Sequence, residues 1–205
     1  MSSPELELAD WRRQVAALYG SVRGEPDPER AHALWRTGRD ELFRSHPQSP
    51  LPVNDPLRET GLPYWPYEPS LRLELELELE LEPAAQPQRL LLATGGDGTT
   101  ALTQVGRLVL PPPLDTTLAV WWLEQYGGGI FLPLRDGSAG QTSYGGGRYA
   151  LDTAKGADLG GTRHSLVIDL NFLYHPSCRY DSRWVCPLAP RDNVVAAEIH
   201  AGERL

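Results

Sequence analysis

Residues 71–82 read LRLELELELELE: six leucines alternate with Arg72, Glu74, Glu76, Glu78, Glu80 and Glu82. Leucine and glutamate are both good helix formers, so intrinsic propensity favours a helix. Wound at about 100° per residue, however, the pattern would scatter leucine round the whole cylinder, whereas a strand puts every leucine on one face and every charge on the other. Segregating an apolar face outweighs propensity, so the segment is read as a long antiparallel strand with a solvated acidic face. Five Glu against one Arg give it a net charge of −4, half of the chain's formal −8. The acidity is therefore largely local. A basic partner or a cation is one use for such a face, and a wet strand surface is the simpler account.

Upstream the period changes to that of helices. Trp11, Val15, Leu18, Tyr19 and Val22 form one stripe of an amphipathic helix ending near Gly20 to Gly24. Asp27-Pro28 reads as an N-cap with proline at the first helical position, followed by a stripe of Ala31, Leu34, Trp35, Leu42 and Phe43 interrupted by Gly38. The second helix is expected to stop near Arg44, because His46-Pro47-Gln48-Ser49-Pro50-Leu51-Pro52 cannot continue it. Residues 46–70 then hold seven prolines among aromatics and read as an extended arm lying across the domain.

From residue 71 onward the sequence reads as strands and turns, with candidate strands at 71–82, 88–94, 100–109, 117–125, 129–134, 147–152, 164–170 and 194–201. Breaks such as Thr94-Gly95-Gly96-Asp97-Gly98 and Arg135-Asp136-Gly137 separate them. Glycine (20) and proline (19) together make up 39 of 205 residues, about 19% where about 12% is usual, too much punctuation for a helical bundle. The expected architecture is mainly β: one domain, residues 1–205, with a helical segment (1–45), the Pro-rich arm (46–70) and an antiparallel β-sandwich or barrel (71–205). Strands and helices do not alternate, so a parallel doubly wound sheet is not expected.

The charge and the ends of the chain narrow the class of function. A net −8 argues against a nucleic-acid binder, whose affinity comes from clustered Lys and Arg. No run of about 18 apolar residues is present, and Glu5, Glu7 and Asp10 stand where a signal peptide would carry basic charge, so a cytoplasmic protein off the membrane is expected. Nothing calls for a cofactor, and oligomeric state is not legible.

Three motifs could carry chemistry. In Thr142-Ser143-Tyr144-Gly145-Gly146-Gly147-Arg148-Tyr149, three glycines could let amides converge on an anion beside the planar, charged fork of Arg148. No Lys-Ser/Thr or helix follows, so this is no Walker loop, and a plain hairpin or bulge is the simpler account. Asp169 and Asn171 end an apolar strand on the same face and must be hydrogen-bonded if they point inward; Arg148 is the natural partner of Asp169, in a structural pair or a functional one. Cys178 and Cys186 are the only cysteines, spaced C-x7-C with His175 just upstream. Buried thiols are the first reading; a nucleophilic Cys178, a disulfide, and a zinc site needing His175 plus His164 or His200 are the alternatives. His46, on the arm, is read as packing or as the lid of a pocket.

In chain order, His46-Pro47-Gln48-Ser49-Pro50-Leu51, Gly61-Leu62-Pro63-Tyr64-Trp65-Pro66-Tyr67, Thr142-x-Tyr144-Gly145-Gly146-Gly147-Arg148-Tyr149, Asp169-x-Asn171 with Tyr174, Pro176, Cys178 and Tyr180, then Cys186-Pro187, Asn193 and Ala201-Gly202-Glu203, the chain resembles the domain of unknown function 1684 family of bacteria and archaea, from about residue 11 to the end. It departs from the pattern at Leu170, where the family usually has Phe, and at His175, where it has Asn, which weakens a metal site further. The resemblance implies no activity. It does imply that Arg148, Asp169, Asn171, Cys178, Asn193 and Glu203 belong to a shared constellation.

The expectation from sequence is thus a β-domain that binds a small anionic or polar ligand near Arg148 and Asp169, with Tyr149, Asn171, Gly146 and His46 contributing. The first alternative is a hydrolase or lyase using Asp169, Glu203 or Cys178, with Arg148 stabilising an anionic transition state. The second is a protein-interaction domain using the acidic strand or the aromatic arm 62–67. No metal is expected.

Overall fold

The computed structural model describes residues 3–78, 87–94 and 98–205. Two helices open the chain, α1 (Pro4–Gly24) and α2 (Pro28–Ser45). Each starts as the sequence dictates: Ser3 Oγ accepts from Leu6 N ahead of Pro4, and Asp27 Oδ1 accepts from Arg30 N ahead of Pro28. α2 runs straight through Gly38, because that glycine sits where α1 crosses; a Cβ there would lie 2.5 Å from a Leu18 methyl. Leu34, expected on the buried stripe, is exposed, and His32 and Arg39 are buried with Ala31, Trp35, Leu42 and Phe43 instead.

Among the described residues the β-region follows in seven strands: β1 (Arg72–Glu76), β2 (Arg89–Thr94), β3 (Gly98–Leu110), β4 (Thr116–Leu123), β5 (Ile130–Leu134), β6 (Arg148–Asp152) and β7 (Ser165–Asp169). β2 to β6 form an antiparallel meander in sequence order, and β1 pairs antiparallel with β7 in a two-stranded ribbon. Among the described residues the larger sheet ends at β2 and β6 and does not close into a barrel. Ribbon and sheet pack through one apolar cluster: Leu73, Leu75, Leu77 and Ile168 on one side, Leu108, Leu118, Val120, Leu132 and Leu134 on the other. Alternation along β4 sends Ala119, Trp121 and Leu123 to the opposite face, against Leu102, Phe131 and Tyr149.

The Leu-Glu segment is a strand, with Leu73 and Leu75 turned inward and Glu74 and Glu76 exposed. Regular pairing ends at Glu76, Leu77 N still reaches His164 O, and Glu78 bridges to Arg107 of β3. Glu80, Glu82 and the turn at Gly95 to Asp97 lie outside the described residues.

The eighth expected strand, 194–201, is not one. The chain there touches Arg135 through a single parallel bridge at Val194, accepts one more backbone hydrogen bond from Gly137 N at Ala197 O, and pairs with no strand among the described residues. Its apolar pattern is nonetheless used, since Val195, Ile199 and Ala201 are buried in the core cluster. What replaces the missing neighbour is a side chain. The carbonyls of Ile199, Ala201 and Glu203 all accept from the Arg148 guanidinium, and Ile199 N donates to Asp136 Oδ2.

The proline-rich arm is tied down by the same end of the chain. Tyr64 bridges to Glu203, Trp65 N donates to Gly202 O, and Arg204 N donates to Pro63 O. A one-turn helix, α3 (Leu57–Thr60), interrupts the arm. α1 and α2 lie over the arm and over residues 157–180, with Trp35, Tyr64, Phe43 and Phe172 at the centre of a second cluster.

Candidate functional site

The polar residues singled out in the sequence are, with few exceptions, buried clamps on irregular backbone. Arg148 is completely buried, and its partner is Asp136 at 3.0 Å, not Asp169. The pairing expected of Arg148 and Asp169 is therefore corrected: at the start of β6, Arg148 faces the segment 199–203, while Asp169 ends a different sheet. Trp65 lies over the guanidinium at 5.2 Å, and Nε is the one nitrogen without a partner. Burial lowers the Arg148 pKa, with Asp136 opposing the change.

Asp169 Oδ1 accepts from Asn171 N and Nδ2 at 3.0 and 2.7 Å, Oδ2 accepts from Tyr67 Oη at 3.3 Å, and Arg72 stands 3.8 Å away. Burial raises its carboxyl despite these contacts. Asn171 also grips the arm, accepting from Glu68 N and donating to Glu68 O. Asn193 accepts from Trp121 Nε1 and donates to Ala119 O. The backbone groups of Glu68 and the carbonyl of Ala119 thus find side-chain amides as partners.

Two amides of the glycine loop are taken up within the protein. Tyr144 N donates to His175 Nε2 and Gly147 N to Tyr144 O. Gly147 has a φ of +90°, and a Cβ on it would sit 2.5 Å from Leu134 O. Gly146 is pressed against the Tyr144 ring and Leu188. His46 caps the end of α2, accepts from Gln48 N, meets Asp10 at 3.4 Å and packs edge-on against Trp11. The aromatic arm faces inward, with Leu62 and Tyr64 buried and Trp65 stacked on His200.

Glu203 is the hub of a second network. Oε2 accepts from Arg39 Nη2 at 2.8 Å and from His175 N at 2.9 Å; Oε1 faces His175 Nδ1 at 3.4 Å and accepts from Tyr180 Oη. Burial would raise this carboxyl, and the neighbouring His175 and Arg39 hold it below its usual value. Arg39 also donates to Tyr64 Oη and lies against the rings of Trp35, Phe43 and Tyr174 at 5.1, 4.9 and 5.0 Å. Both nitrogens of His175 are engaged, so this ring is no base for Cys178, whose sulfur meets Tyr144 Oη at 4.0 Å.

Above this network lies a cleft of about 80 Å³ between the helical pair and the β-region. Trp11, Val15, Leu18 and Phe43 form its helical wall; Tyr149, Tyr174, Pro176 and Ser177 form the opposite one; Arg39, Asp152, Lys155 and His175 supply its charged and titratable groups. Asp152 ends β6 and is 3% exposed, and Lys155 stands 3.7 Å from Oδ2. Oδ1 has no hydrogen-bond partner. Burial raises the carboxyl, with Lys155 opposing. Among the ligand residues expected from sequence only Tyr149 lines this cleft, while Asp169 borders a separate one of the same volume with Arg72 and Arg23. Among the described residues no three His, Cys, Asp or Glu side chains gather into a metal-binding group.

The motif-bearing part of this structure has relatives. The family described as "Protein of unknown function (DUF1684)" matches residues 59–204, which include the arm's aromatic motif, the glycine loop, Asp169, Asn171 and Glu203. The chain belongs to that family. The family match begins downstream of α1, α2 and the His46 motif, so the helical wall of the cleft lies outside it. An uncharacterized protein of Haloarcula marismortui, solved in solution by NMR, is 30% identical over 83% of this chain and 90% of its own, with a TM-score of 0.58. No curated protein matches significantly.

Arg39, Asp136 and Asp152 carry much of this arrangement and were not singled out from sequence. Arg39 had a signal: it falls four residues after Trp35 and four before Phe43, a charge inside an apolar stripe. Asp152 had none, because what buries it are helices far away in sequence.

Proposed function

We propose that this protein binds a small molecule carrying an N–H or O–H donor in the cleft between α1, α2 and β6. The observation that carries the reading is Asp152: it lines a cleft that is otherwise largely apolar and aromatic, and its buried Oδ1 has no hydrogen-bond partner. An unpaired buried acceptor costs about 1–3 kcal/mol, and a ligand donor would recover it. Of the anionic and polar ligands expected from sequence, the polar, donor-bearing kind is favoured, since the anion fork once assigned to Arg148 is spent on Asp136 and three carbonyls. The size of the cleft suits a few heavy atoms, with the remainder of a larger ligand reaching solvent. No described helix is long and apolar enough to cross a membrane.

The test uses n-butylamine, n-butanol and n-butyrate as probes in calorimetric titrations of the wild type and of Asp152→Asn. The amine is expected to bind best and the carboxylate least. Asp152→Asn should weaken amine binding by at least about tenfold, the scale of a lost charge-assisted hydrogen bond. The unliganded variant should be as stable as the wild type or more so, because the buried charge is gone. Equal binding of all three probes, or undiminished amine binding by the variant, would overturn the assignment.

A further inference from the structure

A second cleft of about 80 Å³ lies where the turn between α1 and α2 meets the β1–β7 ribbon, apolar at Leu159 and Phe172 and lined also by Arg23, Glu25, Arg72 and Asp169. Glu25 is already engaged: Oε1 accepts from Asp27 N and from Arg30 Nε and Nη2, at 3.0, 3.3 and 2.9 Å. The two arginines are not. Arg23, in the last turn of α1, is anchored by one hydrogen bond among the described residues, from Nη1 to Asp158 O at 2.5 Å, and its stem packs on Gly160, where a Cβ would lie 3.3 Å from Arg23 Cδ. Arg72 opens β1 opposite Asp169 in the antiparallel register; its guanidinium stands 3.8 Å from that carboxylate and makes no hydrogen bond among the described residues. Each guanidinium carries five N–H donors, so two charged forks line this cleft with most of their donors unused.

Forks of this kind take up oxyanions through charge-assisted hydrogen bonds. Asp169 narrows the choice among them. It is 1% exposed, Oδ1 is filled by Asn171 N and Nδ2, and among the described residues Oδ2 accepts only from Tyr67 Oη, at 3.3 Å. A carboxylate with a lone pair to spare repels an anion that has no proton and accepts a hydrogen bond from one that keeps an O–H. We propose that this cleft binds hydrogen phosphate, with Arg23 and Arg72 donating to its unprotonated oxygens and Asp169 accepting from its P–OH. Burial raises the Asp169 carboxyl, which favours a proton shared between the two acids. The site is separate from the cleft at Asp152 and takes a ligand of opposite charge.

The test is calorimetric titration of the native full chain near neutral pH, in a buffer free of other oxyanions, with sodium phosphate and with sodium sulfate, an anion of the same tetrahedral shape that carries no proton. Phosphate is expected to bind saturably and at least about tenfold more tightly than sulfate, because a site built to accept from an O–H rejects the analogue that lacks it. Arg72→Gln, a change at a side chain that is 41% exposed, should weaken phosphate binding by at least about tenfold. Asp169→Asn should close the gap between phosphate and sulfate, since an amide can donate to either. Circular dichroism shows whether each variant is folded; if Asp169→Asn is not, the wild-type preference and Arg72→Gln decide. No saturable phosphate binding by the wild type, equal affinities for phosphate and sulfate, or undiminished binding by Arg72→Gln would overturn the proposal. None of these outcomes bears on n-butylamine binding at Asp152, so the two readings fail separately.

Discussion

At the residue scale, Arg148 shows how one side chain can stand in for a strand. Three carbonyls two residues apart converge on its guanidinium, and Asp136 takes both a guanidinium nitrogen and Ile199 N. Removing one member of a buried ion pair leaves the other uncompensated, at a cost of about 3–5 kcal/mol. Arg148→Met should therefore destabilise by that amount in urea unfolding, with the Ile199 amide losing much of its protection from exchange. A loss under about 1 kcal/mol would show that the clamp is not needed. His32 offers a pH test. It is 2% exposed among Trp35, Tyr64, Tyr67 and Phe172, and its Nε2 has no partner. Burial, reinforced by Arg36, lowers it from 6.5 to about 4. Between those values the unfolded chain binds a proton that the native protein refuses. The contribution is complete above pH 6.5 and is lost as pH falls towards 4, a change of about 3 kcal/mol. Stability measured across this range should fall less steeply in His32→Phe than in the wild type; parallel curves would remove His32 from the account.

At the scale of elements, sequence patterns identified types well and ends less well. The Leu-Glu run is a strand because period two decides against propensity, yet its regular pairing stops at Glu76, opposite Ser165 where its antiparallel partner β7 begins. Both helix starts were legible because Ser3, Asp27 and their prolines act locally. The segment 194–201 has the apolar content of a strand, and only its distant contact with Arg148 decides that it is not one. The glycine loop can be tested within itself. Gly147 needs positive φ and sits against Leu134 O, whereas a Cβ on Gly145 would meet nothing closer than 3.8 Å. Gly147→Ala should cost more than about 1 kcal/mol and Gly145→Ala less than about 0.5 kcal/mol in thermal or urea unfolding. Similar costs at the two positions would mean that the loop's geometry has been misassigned.

At the scale of the whole molecule, the motif residues hold three irregular segments, the arm, the loop 170–180 and the C-terminal segment, against two sheets. The cleft arises where α1 and α2 close over them. That separation explains what the sequence could and could not reveal. Arg148 stood out beside its glycines and Asn171 at the end of an apolar strand, Asn193 and Glu203 only through the family resemblance, and clamps and ligand sites look alike until their partners are known. Asp152 and Lys155 did not stand out, since their setting is made by a helical layer more than a hundred residues upstream. The central claim is that ligand chemistry sits under the helices and not at Arg148. A titration of the isotope-labelled protein with n-butylamine, read residue by residue in amide spectra, tests it most directly. The account predicts saturable shifts at Asp152, Lys155, Tyr174 and Ser177 that vanish in Asp152→Asn; saturable shifts centred on residues 142–148, with residues 152–155 unmoved, would contradict it.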